Sequence, residues 1–306
     1  MKRRKRLTSP LSGQATINSM LRHLMLLACH SGAALEVMNE NPAELKLFAD
    51  LFQAKAAKID EHRKRMESDQ YLEQATRLSR LLKGAVEALH ACWLMSTRSR
   101  FLSDETLTFR FIDDAIFSVV GIGSSISNGA HNPARREMRY LLESACKHYH
   151  VDSSRQASNK PLIEKLNDLR ENVPRSSIDF VEEQEYFALD DYKTKELRSD
   201  IKDMYSQTCR YVHRSREQID EYLAVVNRGS SPGFETVGEF RAMNREFARL
   251  CDVVVYLSLS VLGPSGLAGD LFVHMLDGDA NWPYHKTKYC KALSEHYSYK
   301  AERSAH

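Results

Sequence analysis

The chain is predicted to be all-α, a helical bundle without a sheet. Three observations carry this. Apolar residues return at three- and four-residue spacing through most of the sequence. Proline, glycine and Ser-Asp or Asn-Pro pairs interrupt that pattern at intervals of helical length. No stretch alternates apolar and polar residues with period two.

Taken in order, residues 1–10 form a basic tail, MKRRKR followed by a polar run ending at Pro10. It reads as a solvated terminus, or as an arm that contacts phosphate. Ile17, Met20, Leu21, Leu24 and Leu27 mark a helix from about Ser12 to Met38. Asn41-Pro42 closes it and opens a second, whose stripe runs from Leu45 through Phe52 to Ile59 and whose end is the cationic His62–Arg65. Ser68-Asp69 caps a third, Gln70 to about Met95, and the three form an expected N-terminal region over residues 1–100. Ser103-Asp-Glu opens a helix from Thr106 to about Val120. The Gly-, Ser- and Asn-rich run Gly121–Pro133 then reads as a loop whose first residues can extend that helix.

Ala134 to His150 is a strong helix with Met138, Leu141, Leu142 and Ala145 inward, and with Arg139 and Glu143 four apart on one face. Pro161 opens a short helix ending before Val173-Pro174. Residues 175–190 are irregular, anchored by Phe180, Tyr186 and Phe187. A helix from about Asp190 to His213 follows, then a short one over 215–226 and a linker, Arg228–Gly233. Thr236 starts a long helix whose end, Val253 to Leu262, is apolar all round. That end predicts a central position and a surface that needs cover, so self-association is expected. A short helix near Leu267–Leu276 and an aromatic one, Tyr289–Tyr299, finish an extension over residues 263–306.

Composition excludes several classes. Net charge is +2 over 306 residues, so no global basic field marks a nucleic-acid binder. No apolar run spans a bilayer, and no h-region follows the basic N-terminus. The six cysteines stand singly, which fits reduced thiols and a cytoplasmic location. Cys146, His148 and His150 have no second pair at metal-ligand spacing, and no metal or cofactor is expected. A nucleophile elbow and a P-loop are absent, Gly121-Ile-Gly123 lacks the third glycine of a dinucleotide fingerprint, and the adjacent carboxylates Asp113-Asp114, Glu182-Glu183 and Asp190-Asp191 diverge on a helix.

One short run looks built for chemistry. Tyr205 to Arg216, YSQTCRYVHRSR, holds one cysteine, one histidine and three arginines in twelve residues. Arg210 and His213 lie three apart on one helical face, a general acid/base beside a cation that can steady a phosphoryl group. Such a pair suits metal-independent cleavage of RNA by its own 2′-hydroxyl. A capping histidine beside a surface arginine is the structural alternative.

RYLLES (Arg139–Ser144) on one helix and YSQTCRYVH (Tyr205–His213) on a later one resemble bacterial proteins of the HEPN-like superfamily. The resemblance covers about Phe101 to Leu262 and implies a helical-bundle core, dimers, and ribonucleases or partners in toxin–antitoxin and anti-phage defence systems. The candidate catalytic residues are His213, as acid/base, and Arg210, on phosphate, with Arg139, Glu143 and Arg214 as candidate binding residues. The family's signature is an arginine, four to six residues, then histidine. Here two residues separate Arg210 from His213, and Thr208, Gln207 and Ser206 stand where the arginine belongs. Inactive members of the family serve as binding modules, and the departure favours that role. The expectations are therefore an RNA-binding or RNA-cleaving protein, or a non-catalytic helical protein that docks a partner.

Overall fold

The computed structural model describes residues 42–153, 160–212, 215–227, 235–263 and 278–296. Among them every regular element is helical, so the all-α expectation holds. No described helix is long and apolar enough to cross a membrane. The expected helix over 12–38, the linker 228–233 and the short helix near 267–276 lie outside the described residues.

The chain forms two compact units, Met1–Lys64 and Arg65–His306. Helix α1 (Pro42–Met66) ends two residues into the second. The second unit then runs α2 (Asp69–Ser96), α3 (Arg100–Glu105), α4 (Leu107–Arg110), α5 (Ile112–Ser127), α6 (His131–Ser153), α7 (Leu162–Glu171), a 3₁₀ turn (Asp179–Glu182), α8 (Asp191–Val212), α9 (Arg216–Asn227), α10 (Val237–Ser260) and α11 (Lys288–His296).

Local chemistry sets several of these ends. Ser68 caps α2 by accepting the Tyr71 N–H. Thr236 and Glu239 form a reciprocal capping box at the start of α10. Asp152, in the last turn of α6, reaches across and caps α4, accepting the N–H groups of Leu107 (3.0 Å) and Thr108 (2.8 Å). Asp252, inside α10, does the same for α11, accepting from the N–H of Tyr289 (3.2 Å) and of Cys290 (3.1 Å).

Helix α10 is the axis of the second unit and packs along α2, α6 and α11. Every residue from Leu250 to Ser260 is buried. Ser258 and Ser260 return their hydroxyls to the carbonyls of Val254 and Tyr256, so no polar group is stranded there. The apolar end of α10 is thus covered by the chain's own helices. The need for a second copy to cover it, expected above, is removed.

The Gly121–Pro133 run is mostly helix, which corrects the loop reading. Helix α5 continues to Ser127, and Asn128 to Ala130 alone separate it from α6. The cause is burial: Ile112, Ile116, Val119, Ile122 and Ile126 carry one inward stripe past both glycines. At Gly123 a side-chain Cβ would come within 3.1 Å of Leu82, so glycine here permits close packing on α2. The aromatic anchors of 175–190 behave as expected. Tyr186 is buried and stacks on Tyr149, and Phe180 packs on His150.

Burial pushes the imidazoles of His131 and His148 below their ordinary value, with nearby carboxylates, Glu235 and Asp152 first, partly opposing this. An unfolded chain therefore binds more protons at these positions than the fold does. Stability attributable to them is fully present above the unfolded value of about 6.5 and is lost as pH falls from there through the depressed folded values. The midpoint of thermal unfolding is expected to fall between about pH 8 and pH 5.5, and His148→Gln to flatten that dependence.

Candidate functional site

Helices α6, α8 and α10 enclose a cleft of about 520 Å³. Its floor is apolar: Met138 and Leu142 from α6, Met204 from α8 and Leu250 from α10, all buried. Its rim is cationic, with Arg135 from α6, Arg210 from α8, and Arg245 and Arg249 from α10, against one lining carboxylate, Glu246.

Those four arginines are not equivalent. Arg135 forms a two-pronged pair with Glu246, at 2.9 and 3.0 Å, and lies over the Tyr211 ring with its guanidinium carbon 4.5 Å from the centroid. Arg249 donates to Asp200 at 2.6 Å and reaches Asp203 at 3.8 Å. Arg210 and Arg245 are exposed at the rim, and among the described residues neither has a carboxylate within ion-pair distance. Two guanidiniums of the cleft are thus without a carboxylate partner among the described residues.

Beside the cleft, on the adjoining faces of α6 and α8, sits a separate network. Arg139 donates to the Tyr205 hydroxyl at 2.8 Å and to Cys209 Sγ, and lies over the Tyr205 ring at 4.4 Å. Glu143 accepts from Lys147 at 2.6 Å and lies 3.6 Å from Arg139. Tyr205 donates in turn to the Ser176 carbonyl at 2.7 Å, and Lys147 to that of Arg175 at 2.8 Å. These contacts tie the 175–190 segment to the bundle. Burial pushes the Cys209 thiol up, and the Arg139 charge partly opposes this. The other described cysteines are buried, and burial raises their thiols too, that of Cys146 to about 12.

Of the residues singled out in the sequence, Arg139 and Glu143 come together in this network, while Arg210 lines the cleft. His213 and Arg214 lie outside the described residues. Sequence reasoning passed over Arg135, Tyr211, Arg245 and Arg249. A signal was present: Arg241, Arg245 and Arg249 stand at successive four-residue intervals, one row along α10. Among the described residues no group of three histidine, cysteine or carboxylate side chains is placed to hold a metal ion.

No family model, curated protein or solved structure matches this chain.

Proposed function

We propose that this protein binds RNA, with the α6–α8–α10 cleft as its phosphate site. The observation that carries the reading is the pair Arg210 and Arg245, exposed guanidiniums that have no carboxylate partner among the described residues and stand over an apolar floor. Exposed arginines are common; two unneutralised ones on facing helices of one concave site are a better match to a phosphodiester chain. Arg241 extends the row along α10 beyond the cleft, as a strand longer than one nucleotide would need. The Tyr211 ring and the floor offer apolar surface to a base.

Binding is better supported than cleavage. Arg139 and Glu143 are engaged with Tyr205, Cys209 and Lys147, outside the cleft lining. Acid/base chemistry would fall to His213, which follows Val212 at the end of α8. A non-catalytic role fits the same departure from the HEPN-like signature.

The test is fluorescence anisotropy with a single-stranded RNA oligonucleotide across a salt series. Arg210→Ala with Arg245→Ala is expected to weaken binding about tenfold or more and to lower the salt slope by about 1.4, two single-strand phosphate contacts. Unchanged affinity and slope, or no binding by the wild type, would sink the reading. A parallel incubation in chelator, with and without His213→Ala, separates a binding module from a nuclease.

A further inference from the structure

Arg249 is paired with Asp200, yet most of its guanidinium is not engaged. One nitrogen, Nη2, makes both of its ion contacts, to Asp200 at 2.6 Å and to Asp203 at 3.8 Å. Nε and Nη1 have no partner among the described residues. A guanidinium carries five N–H donors in a rigid fork, so one edge can hold a carboxylate while another meets a phosphate. Arg135, the other paired arginine of the cleft, has less to offer. It gives both Nε and Nη2 to Glu246, and its side chain is 15% exposed against 37% for Arg249.

Asp200 is itself held from a third helix. Its Oδ1 accepts from Arg249, while its Oδ2 accepts from the Tyr289 hydroxyl at 2.6 Å and from Lys288 Nζ at 3.1 Å, both on α11. Lys288 is fixed in turn by Glu196, one turn before Asp200 on α8, at 3.2 Å. Burial pushes the Asp200 carboxyl up, yet Tyr289, Arg249 and Lys288 together hold it below its ordinary value, so it is an anion at neutral pH. A carboxylate pinned through both oxygens fixes the direction of the guanidinium it holds. A long cation tied only to a mobile surface carboxylate would gain little from that pairing.

We propose that Arg249 is a third phosphate contact of the cleft, that Asp200 is its positioning residue, and that Tyr289 of α11 fixes Asp200. This rests on the RNA reading above and extends it: Arg249 continues the row of Arg241 and Arg245, so the strand follows α10 toward the helix that packs on its far end.

The experiment is the same anisotropy salt series on the full chain, with Arg249→Ala, Tyr289→Phe and the two combined. Arg249→Ala is expected to lower the salt slope by about 0.7, one single-strand phosphate contact. Tyr289 is buried, and phenylalanine there changes no charge. Tyr289→Phe is nevertheless expected to weaken binding about threefold where Arg249 is present, and not at all where it is alanine. A merely structural role of the hydroxyl would move both backgrounds alike. An unchanged slope for Arg249→Ala, while Arg210→Ala with Arg245→Ala lowers it, overturns this proposal and leaves the RNA reading standing. Equal effects of Tyr289→Phe in the two backgrounds overturn the roles given to Asp200 and α11. No binding by the wild type removes the RNA reading and this proposal with it.

Discussion

Asp152→Ala is expected to destabilise the second unit by about 3–5 kcal/mol, measured by urea unfolding followed by circular dichroism. Asp152 and Lys165 are fully buried and pair at 3.2 Å. Lys165 lies 5.2 Å from the Phe101 ring centroid, and its ammonium has no water to turn to. Removing the carboxylate leaves a buried cation without its counter-charge and frees the N–H groups of Leu107 and Thr108 and the Thr108 hydroxyl, all of which it accepts. The attraction matters less here than the penalty of stranding its remnants. Replacing both partners, Asp152→Asn with Lys165→Met, is expected to recover about half the loss, since no uncompensated charge remains. Equal losses for the single and double variants would show that the pair carries no such penalty.

Trp282→Ala is expected to cost about 3–5 kcal/mol, the range for removing a buried indole. Trp282 is buried, donates from Nε1 to the Gly84 carbonyl at 3.0 Å, and stands edge-on to Tyr284, whose hydroxyl reaches the Leu81 carbonyl at 2.9 Å. The two aromatics clasp α2 from residues nearly two hundred positions later. The opposite side of the clasp gives a sharper test. Alanine at Gly84 should by helix propensity add about 1 kcal/mol of stability. Its Cβ, however, would come within 2.5 and 2.6 Å of the Pro283 ring. Overpacking of that severity costs about 1–3 kcal/mol, so Gly84→Ala is expected to destabilise. A rise in the melting temperature would mean that the 282–284 turn yields at little cost.

The helices were legible wherever a cap and a periodic stripe agreed. Ser68 before Tyr71, and Thr236 with Glu239, place helix starts by hydrogen bonds that the sequence spells out. Gly121 and Gly123 misled because propensity is a weak local term, while the isoleucine stripe of α5 is buried against α2 and α6. The break at Phe111, between α4 and α5, has no glycine or proline to announce it. The cleft was legible only in part. Arg210 stood out because it neighbours a histidine, whereas Arg135 and Arg245 join it through the packing of three helices far apart in the chain. Local spacing could pair Arg139 with Glu143. It could not show that Tyr205 and Cys209 would occupy the same guanidinium.

Asp152 and Asp252 each cap a helix that begins 45 positions earlier or about 37 later in the chain. The capped helices are short: α4 has four residues and α11 nine. Segments of that length do not persist alone in water, since nucleating a helix costs more than a few hydrogen bonds return. Each therefore waits for its remote carboxylate. During synthesis α4 cannot settle until the end of α6 has emerged, and α11 has its cap ready because α10 precedes it. Helix α11 thus docks on a bundle whose capping residue is already in place, whereas the turn before α5 stays open until Asp152 has been made.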